Sequence, residues 1–285
     1  MSNSADVLGR NGALAARLPG FVARAVQQDM ASHIERALAQ PGVMIAESGT
    51  GTGKTYAYLV PALLSGKKTL ISTGTKHLQD QLFHRDLPLI RAALDLPVTT
   101  ALLKGRANYL CRHRLERAEM EVRFSSRREA GELVRIRAWA GRTQSGDIGE
   151  LGEVSEDSPV WPRVTSTPEN CLGSKCRDYN DCHVNRARRE ALAADVLVVN
   201  HHLFFADLAL REEGFAQLLP GVEVVIFDEA HQLPEIASNF LGINLSSQQL
   251  YTLCRDTLVE DLKEHSTIPE LPRAVELTEK AVADF

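Results

Sequence analysis

Long apolar runs are missing from this chain. No stretch approaches the roughly 20 residues that a membrane span needs, and Met1 to Arg10 has no apolar core of the kind that opens a secretory leader. These absences point to the cytoplasm and to a protein that does not engage a membrane. Cysteine is scarce, with five in 285 residues, and in a reducing compartment disulfides are not expected. Excess positive charge is also missing: the formal net charge is -5, so no global basicity marks a polyanion binder. No internal repeat is present, which excludes a solenoid or propeller. What remains is an ordinary globular composition, 44% hydrophobic and 24% charged, compatible with a sizeable core in one large domain or two.

Periodicity organises the chain. Gln27 to Gln40 has Met30, Ile34, Ala37 and Leu38 at helical spacing, and Pro41-Gly42 stops it. Val43 to Ala46 is a short apolar run that reads as a buried strand. A helical pattern begins near Lys54. Lys68 to Ser72 reads as a strand, Lys76 to Ile90 as a helix and Val98 to Leu103 as a strand. From Lys104 to Arg142 the chain turns basic and mostly helical, with eleven Lys and Arg against five Glu, a local net of +6. Thr143 to Glu169 is rich in Gly, Ser and acids and reads as irregular. Asp195 to Asn200 and Val222 to Phe227 resume the strand pattern, and beyond Phe240 the chain is helical and acidic. Strands alternating with helices predict an α/β fold with a parallel sheet covered on both faces. Residues 104–190 read as an insertion into it.

Two segments carry chemistry. Gly49-Thr50-Gly51-Thr52-Gly53-Lys54-Thr55 lies between a predicted strand and a helix. Glycines let successive N–H groups face one point, and the helix adds its positive end. Lys54 reaches the β- and γ-phosphates, and the Thr55 hydroxyl takes a position on Mg²⁺. The strict pattern has a further glycine where Ser48 stands, a mild departure; a glycine-rich turn that happens to precede a lysine is the plain alternative. The second segment is the apolar run Val224 to Phe227 leading into Asp228-Glu229-Ala230-His231. An acidic pair at a strand tip suits Mg²⁺ at Asp228 and a water-orienting base at Glu229, with His231 placed to sense the nucleotide. Alone it reads equally as an acidic loop. On one parallel sheet the two motifs belong at the same carboxyl edge, where ligands bind.

These residues resemble superfamily 2 helicases: Gly49 to Thr55 their first motif, Asp228 to His231 the second motif of the DEAH branch, and Ser72-Thr73-Gly74-Thr75 with Leu78 and Gln79 the DNA-backbone motif between them. Arg24, Gln27 and Met30 resemble the upstream adenine-reading element, which implies that the Gln27 amide meets the base. In the insertion, Cys171, Cys176 and Cys182 lie close together and Cys111 far upstream. Spacing alone leaves three readings open, namely an iron–sulfur cluster, zinc, or thiols that merely pack. Lys104-Gly105-Arg106-Ala107-Asn108-Tyr109-Leu110-Cys111, the later cysteines and Asn200-His201-His202-Leu203 resemble the DinG/XPD-type iron–sulfur DNA helicases, in the bacterial DinG/YoaA branch, over about residues 20–240.

That resemblance implies a RecA-like lobe in pieces. Residues 1–103 carry its first part and 104–190 a [4Fe–4S] insertion held by Cys111, Cys171, Cys176 and Cys182. Residues 191–240 return to the lobe, and 241–285 start a helical arch-like insertion. It implies ATP and Mg²⁺ as further cofactors, and catalytic Lys54, Asp228, Glu229 and His231. The expected activity is DNA unwinding by movement 5′ to 3′ on single-stranded DNA, with single-stranded or forked DNA as the partner, in repair or replication, near the nucleoid, beside replication or repair proteins. Expected DNA contacts are Thr73, Thr75, Arg106 and Arg112. Tyr109, Phe124, Trp139, Trp161 and Tyr179 are available to stack on bases, though each is commoner as core; Cys254 reads as a buried or idle thiol. The chain ends at Phe285, before a second lobe with its arginine finger, so the expectation is an N-terminal portion with feeble turnover. The competing class is a cluster-bearing DNA-binding or regulatory module without motor activity. A nuclease finds no room ahead of Arg24, and a metabolic phosphate-loop ATPase leaves the cysteines unexplained.

Overall fold

The computed structural model describes residues 3–120, 126–168, 170–212, 218–242, 246–263 and 268–284. Glu121, Arg123, Phe124 and Glu169 lie outside the described residues. In chain order the elements are α1 (Ser4–Val7), α2 (Ala13–Arg17), α3 (Ala25–Leu38), α4 (Lys54–Leu64), β1 (Thr69–Thr73), α5 (Lys76–Gln81) and α6 (Leu87–Leu94). There follow β2 (Thr100–Leu102), α7 (Arg112–Met120), α8 (Arg127–Ala140), α9 (Trp161–Val164), α10 (His183–Ala193), β3 (Val196–Asn200) and α11 (His201–Glu212). The last are β4 (Val224–Phe227), α12 (Leu233–Leu241), α13 (Ser247–Lys263) and α14 (Leu271–Asp284). Contacts divide the chain into two compact units, 1–236 and 237–285; in the second, α13 and α14 pack together. Among the described residues no helix is long and apolar enough to cross a membrane.

The sheet order is β2-β3-β1-β4, and every pairing is parallel. Side chains alternate across a strand. Ile71, Val196 and Val198 therefore join a core with Ala57, Leu59, Val60 and Leu63 of α4 and with Leu87 and Ile90 of α6. Leu70, Leu197 and Val199 face the other way and join Ala187 and Ala191 of α10. This is the RecA-like α/β arrangement, with helices on both faces, and it explains why β3 reads as a continuous apolar run and why all five residues of β1 are buried. Between β2 and β3, residues 110–164 enclose a separate core in which Trp139 and Trp161 meet edge to face at 6.3 Å.

Two expectations need correction. Val43 to Ala46 is not a strand: Val43 and Ile45 are 94% and 93% exposed. An apolar run becomes a strand only where a neighbour completes its hydrogen bonds, and among the described residues this run has none. The helix expected over Lys76 to Ile90 runs on to Leu94, but Leu82–Asp86 is a π-helical turn. Pro88 follows that turn and cannot donate a backbone hydrogen bond, which favours a local change of register. Tyr109, Trp139 and Trp161 are buried core residues, the commoner reading for each, and Tyr179 is exposed.

Candidate functional site

The phosphate loop folds on its own hydroxyls. Ser48 Oγ lies 2.7 Å from Thr52 Oγ1, and Thr52 Oγ1 donates to the Gly49 carbonyl. Serine in place of the expected glycine thus closes the loop. Gly51 and Gly53 have φ of 75° and 87°, backbone that L side chains rarely adopt. Gly53 is the N-cap of α4, so the helix begins at Lys54 with its N–H groups directed at the loop. Lys54 Nζ donates to the Ser48 carbonyl at 3.3 Å. Gln27, buried on α3, donates its amide N–H to the Gly53 carbonyl at 2.9 Å, and its Oε1 is buried with no hydrogen-bond partner.

The acidic motif meets this loop at the carboxyl edge of the sheet. Parallel pairing brings Phe227 of β4 beside Ser72 of β1, and Lys54 Nζ stands 3.9 Å from Glu229 Oε1. His231 Nδ1 is 3.4 Å from Glu229 Oε2 with its side chain 70% exposed. Tyr58 on α4 donates its hydroxyl to Asp228 Oδ2 at 3.2 Å and also meets the Thr55 hydroxyl. Burial raises the Asp228 carboxyl above the ordinary aspartate value and Glu229 adds to the rise, while the Tyr58 and Glu229 hydrogen bonds oppose it. Burial also pushes the Tyr58 phenol well up, so it remains a donor. His201 is fully buried, and burial holds its imidazole below the ordinary histidine value. Sequence reasoning missed Tyr58. The signal was its spacing, four residues after Lys54 and three after Thr55, on the same helical face.

The four cysteines also come together. Cys111, Cys171, Cys176 and Cys182 line one cavity of about 380 Å³, with Arg106, Tyr179 and Arg188. Cys182 stands at the N-cap position of α10. Burial raises the Cys111 thiol, and the other three cysteines add to it. Among the described residues no three His, Cys, Asp or Glu side chains converge closely enough to hold a single metal ion. Cys254 is buried.

The remaining candidates are spread out. Thr73 is fully buried and turns its hydroxyl to the Thr75 carbonyl, so its side chain does not meet solvent. Thr75 is exposed and caps α5 by accepting from the Leu78 N–H. Gln79 is buried and donates to the Leu103 and Val198 carbonyls, a structural place rather than a surface one. Arg112 is exposed and Arg106 half-buried. Lys104, counted above in the basic segment, is buried between Asp80 and Asp147, 2.7 Å from each, so its charge is neutralised internally.

Comparison with known proteins agrees with this geometry. Residues 24–127 match the DEAD/DEAH box helicase family. The chain is 48% identical to the ATP-dependent DNA helicase YoaA of Haemophilus influenzae over 281 residues, 99% of this chain and 44% of that protein. It is 46% identical to the Escherichia coli protein of the same name over 98% of this chain and 44% of that one. It is 34% identical to the ATP-dependent helicase DinG of Mycobacterium tuberculosis over 84% of this chain and 38% of that one. The chain therefore spans less than half the length of these relatives.

Proposed function

We propose, from the premise that this chain belongs to the DEAD/DEAH box helicases and is homologous to YoaA and DinG along its length, that it is the nucleotide-binding part of an ATP-dependent DNA helicase. The triphosphate lies in the loop Gly49 to Thr55 with Lys54 on its β- and γ-phosphates. Thr55 and Asp228 take Mg²⁺, and Glu229 orients and deprotonates the attacking water. His231 follows the nucleotide state. The orphaned Gln27 Oε1 suits the exocyclic amine of adenine. The observation that carries this reading is the approach of Lys54 Nζ to Glu229 Oε1, 3.9 Å, beside an Asp228 carboxylate already oriented by Tyr58.

Residues 1–103 and 191–240 form the lobe, 104–190 the cluster insertion and 241–285 the start of an arch-like insertion. The four thiols suit a [4Fe–4S] cluster better than one ion. Each iron corner takes one thiolate, so the sulfurs must stand around a cavity and not meet at a point. When bound, the cluster would supply electron transfer and a rigid cross-link of the insertion. Arg106 and Arg188 at the cavity would offset its negative charge. Single-stranded or forked DNA is the partner, in repair or replication at the nucleoid, with 5′ to 3′ polarity. Exposed Thr75 and Arg112 stand ready for phosphates.

A fluorescent ATP analogue with Mg²⁺ tests the nucleotide site directly on this chain. Binding should occur and Lys54→Ala should weaken it at least about tenfold, a loss of ~1.4 kcal/mol. No uptake, or equal uptake by Lys54→Ala, would overturn the proposal. ATP turnover stimulated by DNA in the complete protein, abolished by Lys54→Ala, separates a motor from a cluster-bearing DNA-binding module.

A further inference from the structure

Asp228 is held at every polar atom. Its N–H donates to the Ser72 carbonyl at 2.8 Å. Its Oδ2 accepts from Tyr58 and its Oδ1 from the Glu229 N–H, at 3.2 Å each. Its main-chain carbonyl lies 2.9 Å from His201 Nε2. The other ring nitrogen, Nδ1, lies 2.7 Å from Ser72 Oγ. Ser72, His201 and Asp228 thus close a ring of hydrogen bonds across the tips of β1, β3 and β4. A carbonyl only accepts, so Nε2 carries the proton, and in the neutral ring Nδ1 accepts from the Ser72 hydroxyl.

The carbonyl that His201 holds belongs to the peptide between Asp228 and Glu229. Glu229 has φ 56° and ψ 44°. Among the described residues only Asp95 shares a positive φ without being glycine. A non-glycine residue in this region persists only where its surroundings fix it. Rotation about φ relates the preceding peptide plane to the Glu229 Cα–Cβ bond, so a pinned carbonyl sets the direction from which that carboxylate extends. It points toward Lys54.

We infer that His201, as the Nε2–H tautomer, is a positioning residue of the nucleotide site: it pins the Asp228–Glu229 peptide and keeps the Glu229 carboxylate aimed at the phosphate loop. The inference rests on the proposed role of Glu229 for its effect on turnover, but not for its geometry. Substitution should act on the chemical step and leave nucleotide affinity alone, because among the described residues His201 hydrogen-bonds to Ser72 and Asp228 and not to the loop or Lys54.

Two measurements decide it. Nitrogen chemical shifts of ¹⁵N-histidine-labelled chain report which ring nitrogen of His201 is protonated; a proton on Nδ1 alone overturns the inference whatever the activity. In the complete protein, His201→Gln places an amide N–H near the Nε2 position, whereas His201→Asn reaches only the Nδ1 position. His201→Asn should lower kcat by about tenfold or more with KM for ATP within about twofold, and His201→Gln should recover most of the rate. Equal rates for the two variants, or a loss carried by KM, would mean that the ring serves packing against Phe227 and would sink the inference. Should Glu229→Gln retain full turnover, the proposed role of Glu229 fails, and the tautomer measurement still decides the placement of His201.

Discussion

Replacing Lys104 by methionine keeps a stem of four atoms and removes the charged end. The ammonium is 5% exposed and stands 2.7 Å from Asp80 on α5 and 2.7 Å from Asp147 in the insertion. Asp147 is 12% exposed and Asp80 36%, so the two pairs are unequal. Removing one partner of a buried pair costs about 3–5 kcal/mol. Asp147 keeps a hydrogen bond from the Gly149 N–H, which lowers the figure, and the exposed Asp80 adds under about 1 kcal/mol. The expected loss is about 2–4 kcal/mol, a fall of roughly 5–12 °C in the melting midpoint of a unit of this size. Burial alone would depress the ammonium, but Asp147 and Asp80 more than reverse this and leave it above the ordinary lysine value of 10.5. A raised pKa means that the contribution is complete below 10.5 and is lost only as pH climbs through the folded value. The difference between wild type and Lys104→Met should therefore be flat from pH 6 to 9 and shrink in stronger base. Urea unfolding followed by circular dichroism measures it. Lys104→Met with Asp147→Asn should recover most of the loss, because no uncompensated charge stays buried. A single-variant loss under about 1 kcal/mol, or no recovery in the double variant, would refute the reasoning.

Two further substitutions act on the sites. Tyr58→Phe removes a hydrogen bond that holds the Asp228 carboxyl down. Its pKa should therefore rise further, and the acid limb of Mg²⁺-dependent analogue binding should move to higher pH; an unchanged limb in a fluorescence titration would count against the contact. Gly146→Ala meets two obstacles, a φ of 69° and the His183 ring 2.3 Å from the added carbon. The ring is buried and follows Cys182, so the variant should lose about 2–4 kcal/mol by thermal denaturation and, on the proposed cluster reading, retain less iron and acid-labile sulfide than wild type. Wild-type stability and iron content together would refute it.

The elements that sequence made legible are those whose physics is local. Val196 to Val199 of β3 is apolar without interruption because both faces are covered, and that pattern is visible in one dimension. The glycines of the phosphate loop and the capping of α4 are visible for the same reason. Val43 to Ala46 carries the same signal, but whether a run becomes a strand depends on a partner that its own residues do not specify. Lys104 was counted as surface charge because composition cannot tell an exposed lysine from one flanked by Asp80 and Asp147, which lie 24 residues before and 43 after it. Among the candidate site residues, Lys54 and Glu229 were legible as a pair because both motifs end at one sheet edge. Tyr58 was hidden by its apolar company on α4. His201 was visible only as part of a motif of unknown purpose, since its partners Ser72, on β1, and Asp228, just past β4, are distant from it in sequence.

The proposed insertion leaves the sheet after β2 and the chain returns to it at β3, and the segments beside these two points are tied to different parts of the lobe. At the entry, Lys104 binds Asp80 on the helix that follows β1, and its own N–H donates to the buried Tyr109 hydroxyl. Beyond the return, at the start of α11, His201 binds the peptide of Asp228. None of the contacts of Lys104 reaches a residue of 48–55 or 228–231, whereas the His201 contact determines where Glu229 points. Loss of Lys104 should thus lower stability and spare the rate per folded molecule, and loss of the His201 donor should do the reverse. If the two losses instead moved stability and turnover in one fixed proportion, the insertion would be linked to the nucleotide site only through global folding, and the separate roles assigned to its two ends would be wrong.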